Sequence, residues 1–146
     1  AKLALLKGVW LSKINPSKSN DDLTYAFHLF DELFDSQPNY YACNCYIELG
    51  SNYMRQKALG NANAFFFHAQ NILEAIFTDD HPLIQKYYAY TIEVASHSSD
   101  FPSMKELALR NLAVAEKFNE PGLFLLDPLI TVVSVLSQSE SNADEI

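Results

Sequence analysis

The chain has 146 residues, 49 % apolar and 19 % charged, with ten Phe, eight Tyr and only four Gly. That is one domain's worth of sequence, aromatic-rich and glycine-poor, which favours a helical core with short connections over a loop-rich or sandwich fold. Lys2, Lys7, Lys13 and Lys18 precede the first acid, Asp21, and the remainder carries a balance of −12 within a total of −8. A body this acidic argues against phosphate-driven nucleic-acid binding and makes a basic peptide or basic protein face the expected complement.

Cys43 and Cys45 are the only cysteines. At i and i+2 of a helix they point to different faces, so a disulfide framework is excluded and a reducing, intracellular compartment (cytoplasm or nucleus) is expected. The run 3–10 is interrupted by Lys7 and lacks a cleavage site, so it does not read as a secretory signal. The most apolar stretch, 123–136, contains Asp127 and Pro128 and is too short to span a bilayer. The first residue is Ala rather than Met, so the sequence reads as part of a larger protein or complex.

Leu3, Leu6, Val9 and Trp10 recur at helical spacing and predict a first helix over 2–13. Asn15-Pro16-Ser17-Lys18-Ser19-Asn20 reads as a turn. Asn20 or Asp21 then caps a second helix carrying Leu23, Ala26, Phe27, Phe30, Leu33 and Phe34. It ends near Ser36-Gln37-Pro38, because proline disfavours helix in the residue before it. Asn39 opens a third helix over 40–56, Leu59-Gly60-Asn61 forms the next turn, and a fourth helix runs to Phe77. Asp79-Asp80-His81-Pro82 stops and restarts the chain, with Asp80 as N-cap. A fifth helix spans 83–97. Ser98-Ser99-Asp100 leads into a sixth over 102–118, and Asn119-Glu120-Pro121-Gly122 is the next break. A closing helix covers 123–137, with Asp127-Pro128 as its kink or true start. Residues 1–137 are expected to form one helical repeat domain and 138–146 a disordered tail.

Inside this frame stands a pattern of large and small residues. Tyr46, Leu49, Gly50 and Tyr53 fall at i, i+3, i+4 and i+7, and Ala62, Phe66 and Ala69 at i, i+4 and i+7. A shift of 42 residues maps Tyr46 to Tyr88, Ala69 to Asn111, Ile72 to Val114 and Glu74 to Glu116, with Thr91, Ile92 and Ala95 in place of Leu49, Gly50 and Tyr53. A shift of 36 places Trp10 in the leading aromatic slot of a weaker first copy. This pattern resembles the tetratricopeptide family, nearest the roughly 42-residue variety of kinesin light chains, in which an Asp-His-Pro like Asp80-His81-Pro82 recurs between repeats. The resemblance covers about 24–118. The run from His81-Pro82 to Phe101-Pro102 is also similar to the helical C-terminal domain of SET-MYND lysine methyltransferases, although no methyltransferase core is present in this sequence. Phe65, Phe66 and Phe67 spread over about 200° of a helix; burying all three needs contact on two sides, as stacked repeats supply.

Chemistry is poorly represented. His28, His68, His81 and His97 are scattered without the clustering that zinc needs. Asp79 and Asp80 read as capping residues, and there is no Gly-rich phosphate loop and no Gly-x-Ser-x-Gly. No catalytic, metal or cofactor site is expected. Lys2, Lys7 and Lys13 form a basic fringe on the first helix, either snorkelling over apolar surface or meeting an anionic one.

The family resemblance implies an all-α fold, a right-handed solenoid of antiparallel helix pairs with about seven helices. It implies an adaptor or scaffold that binds a peptide or protein face in a concave groove. Carried onto this sequence, the groove positions are Asn44, Ile47, Glu48, Ser51 and Arg55 from one repeat. Lys86, Ala89, Tyr90, Glu93 and His97 come from the next. Glu48 and Glu93 would supply charge and Tyr90 a stacking surface. The alternative implied by the second resemblance is a non-catalytic helical domain that shapes substrate access in a larger enzyme.

Overall fold

The computed structural model describes residues 1–76, 82–117 and 130–138. Among them the chain is all-α, with no strand. The helices are α1 (Lys2–Leu11), α2 (Pro16–Leu33), α3 (Tyr40–Arg55), α4 (Leu59–Ile76), α5 (Pro82–His97) and α6 (Phe101–Lys117). Residues 130–138 are also helical. The chain divides into two compact units, Ala1–Thr78 and Asp79–Ile146. The expected Asp80 cap, the break at 119–122, the Asp127-Pro128 kink and the tail from 139 onward lie outside the described residues.

Local chemistry sets the helix boundaries, and two differ from expectation. The stretch 15–20 is not a turn. Asn15 is the N-cap of α2, its side chain accepting from the Lys18 amide at 3.1 Å, and Pro16 occupies the first turn. Proline lacks only a donor that would be unpaired there, and its fixed φ already suits the helix. The second difference lies between α3 and α4. Gly60 sits inside α4, and the turn is made by Gln56-Lys57-Ala58 with Lys57 at φ 61°. The Ala58 amide reaches back to the Tyr53 carbonyl at 2.9 Å, a Schellman-type closure that satisfies end carbonyls of the helix. The end of α5 repeats this: Ser99 has φ 54° and the Asp100 amide bonds the Ala95 carbonyl at 3.0 Å. Lys57 and Ser99 are 42 residues apart. The expected Asn39 cap is present, accepting from the Ala42 amide at 2.8 Å.

In the first unit α1 packs on α2, α2 on α3 and α3 on α4. α3 and α4 run antiparallel: Tyr53 stacks on Phe65, Tyr46 on His68, and the Cys43 thiol donates to the Ala69 carbonyl at 3.6 Å. Two close approaches fix the spacing. A Cβ at Gly50 would lie 2.8 Å from the Phe66 ring, and one at Gly8 would lie 2.7 Å from Leu23. Only glycine lets these helices come so near. Leu5, Leu23, Ala26, Phe30, Cys45 and Leu49 form one buried cluster of its core.

A buried polar network joins α1, α2 and α3. Ser19 Oγ donates to the Gly8 carbonyl at 2.7 Å, and Asn52 Nδ2 donates to Ser19 Oγ at 2.8 Å and to Asn20 Oδ1 at 3.0 Å. Buried amides and hydroxyls are costly unless paired, so these bonds specify one alignment of the three helices. They also explain why Ser19 and Asn20, loop-like by composition, lie inside a helix.

The weak first copy looks different in space than in sequence. Trp10, expected to lead that repeat, is 66 % exposed. The α1–α2 approach is at Gly8, 42 residues before Gly50. Phe67 is 61 % exposed while Phe66 is buried, so the three phenylalanines do not all enter the core. In the second unit α5 packs on α6, and Ile92, Ala95, Met104, Ala108 and Val135 form one cluster, the last from the 130–138 segment.

Candidate functional site

The residues of α3 expected to line a groove are largely enclosed. Glu48 is 4 % exposed and Ser51 is fully buried, so neither is an open side chain; Ile47 is buried as well. Asn44 is half-buried, while Arg55 is exposed at the end of α3. The Arg55 guanidinium donates to the Ser12 carbonyl at 3.2 Å and to Asn52 Oδ1 at 3.4 Å, which ties it to the polar network. On α5, Lys86 and Tyr90 are half-buried, and Ala89, Glu93 and His97 are exposed.

The opposite face of α3 is aromatic. Tyr46 and Tyr53, two turns apart, lie on one side of the helix. Tyr46 meets Phe27 of α2 at 4.7 Å between ring centroids, His68 of α4 at 5.3 Å and Phe65 of α4 at 6.1 Å. Tyr53 stacks on Phe65 at 5.3 Å and 9°. The result is a continuous strip of rings across α2, α3 and α4, with Phe27, Tyr46, Tyr53 and Phe65 half-buried and His68 exposed. Burial, and next the Asp31 carboxylate at the end of α2, push the Tyr46 hydroxyl above its ordinary value.

The first unit also makes a cation–π contact. Tyr41 stacks on Phe30 at 4.6 Å, and the Lys2 ammonium stands 5.2 Å from the Tyr41 ring centroid. Elsewhere, the outer face of α1 presents Leu3, Leu6 and Trp10, each 66–80 % exposed, beside Lys7, which pairs with Asp22 at 2.8 Å. In the second unit Tyr88, Arg110, Ala113, Val114 and Lys117 line an open recess of about 250 Å³. Glu106, 2.6 Å from Arg110, raises the guanidinium's pKa.

Among the described residues no three His, Cys, Asp or Glu side chains come together as a metal site, and no helix is long and apolar enough to cross a membrane. In the sequence Tyr46 and Tyr53 belong to the large-and-small pattern of α3, and Phe27 has no link to them. Phe27 arrives from a separate helix, and nothing in the α3 pattern announces it. Comparison with protein-family models, with curated proteins and with solved structures finds no match.

Proposed function

We propose that the chain is a tetratricopeptide-like module, a right-handed stack of helix pairs that acts as a non-catalytic adaptor or scaffold for a protein partner. One observation carries the repeat reading: the same turn, with a left-handed residue at Lys57 and again at Ser99, recurs at a 42-residue step. The Gly8 and Gly50 approaches share that step. Repeats of this kind are built from residues that pack helices, which leaves function to the surfaces they expose. Leu3, Leu6 and Trp10 on α1 and the aromatic strip across α3 are surfaces of the kind that protein contacts use.

The reading is tested by capture followed by titration. The chain, immobilised in low salt, is expected to retain a defined protein from cell extract. That protein, once purified, should bind the chain saturably at a fixed stoichiometry. Retention of nothing, or of proteins that bind without saturation, would sink the reading.

A further inference from the structure

We propose that the aromatic strip across α2, α3 and α4 receives a cationic side chain, arginine or lysine, from a protein partner. This rests on the interaction reading above and adds the chemistry of the partner.

Three observations point the same way. First, the strip is formed by ring faces and edges, and half-buried rings attract a cation through their quadrupoles. Lys2 over Tyr41 shows this chemistry within the same unit. Second, the charge around the strip is complementary to a cation. α4 carries no Lys or Arg, and the only Lys or Arg of α2, Lys18, lies in its first turn, away from Phe27. The only basic residue of α3, Arg55, is turned to Ser12 and Asn52.

Third, Asp31 stands where helix stability disfavours it. It and Glu32 lie in the last turn of α2, which holds no basic residue. The helix macrodipole opposes negative charge at that end. Asp31 Oδ2 accepts from Ser36 Oγ at 3.0 Å, a bond that a neutral amide oxygen could also accept. Asp31 lies one helical turn beyond Phe27, on the same face of α2, and after burial its charge is the next cause that raises the pKa of the Tyr46 hydroxyl. His28 and His68, both exposed, and the buried Cys45 thiol also stand beside the strip. The chain's net charge of −8 draws a basic segment toward the surface before contact.

The experiment titrates the full chain with unstructured peptides identical except at one central residue: Arg, Lys, citrulline, Leu or Glu. The Tyr46 and Tyr53 ring resonances are the readout. The Arg peptide should bind roughly five to ten times more tightly than its neutral isostere citrulline, and Lys somewhat less so, in line with a partly desolvated cation–π contact. Asp31→Asn should reduce the Arg preference about threefold while the melting temperature stays level or rises, since an unfavourable helix-end charge is removed. Tyr46→Leu should abolish the preference, with helix content as its folding control. Equal binding of Leu and Arg, or an Arg preference unchanged in Asp31→Asn, would overturn the proposal. If no peptide binds, the cation inference falls. A captured partner that then binds the Tyr46→Leu chain as well as the wild type would leave the interaction reading standing. Absence of any saturable partner would remove both.

Discussion

In α3 and α4 the small residue is on the first helix and the large one on the second: Gly50 faces Phe66. At the 42-residue step in α5 and α6 the sizes are exchanged: Ile92 and Ala108 stand at the matching positions, and both belong to one buried cluster. A substitution at Gly50's slot that looks like decay is thus one half of a volume-conserving swap, the kind that cores tolerate best. Between the two pairs the summed volume at these two positions is kept, while the residue type on each helix changes.

The largest test of this comparison is Phe66→Ala. It leaves Gly50 facing a void and should cost about 3–5 kcal/mol in denaturant unfolding. Unchanged stability would mean that the α3–α4 contact is not the one described. Gly50→Ile alone should overpack the buried Phe66 ring, costing roughly 1–3 kcal/mol. Installed together, Gly50→Ile and Phe66→Ala reproduce the α5–α6 arrangement. The double variant should be clearly more stable than the sum of the two losses predicts, a coupling of about 1 kcal/mol or more in a double-mutant cycle. Strict additivity would break the comparison.

Smaller effects separate the helix caps of the two pairs. Asn39 caps α3 from a buried position, and Asn39→Ala should cost about 1 kcal/mol at any pH. Asp100 caps α6 from an exposed one, accepting from the Ser103 amide at 3.2 Å. The Ser103 side chain and, next, its backbone amide hold the Asp100 carboxyl below its ordinary value of 3.8. A depressed folded-state pKa means that the stabilisation is present above that ordinary value and is lost as pH falls through the folded pKa. Asp100→Asn should therefore lower the melting temperature slightly at pH 7 and make no difference once both pKa values are passed. A gap between wild type and variant that persists at low pH would show that the cap is not electrostatic.

Much of the architecture was legible in local chemistry. Asn39 before Tyr40 and the 3.6-residue spacing of apolar positions give helices of the right type in nearly the right places. Two turns were misplaced because glycine and polar residues were read as loop by composition. Gly60 lies in the first turn of α4, and Ser19 and Asn20 are helical because Asn52, 33 and 32 residues away, satisfies them. The 42-residue step, applied to Ser98-Ser99-Asp100, would have pointed to Gln56-Lys57-Ala58 as the α3–α4 turn. The same step would have identified Gly8 instead of Trp10 as the α1 contact.

The sequence by itself determined the all-α class and the Asn39 cap of α3, because each depends on residues within a turn or two of one another. It did not determine which face of α3 stays accessible. Glu48 and Ser51 have the composition of a surface, yet they are buried, while Tyr46 and Tyr53 have the composition of a core, yet they are only half-buried. Burial depends on what other elements bring against a helix. Phe27 on α2 and Phe65 and His68 on α4 reach Tyr46 only once three helices have packed, so tertiary structure alone assembled the strip.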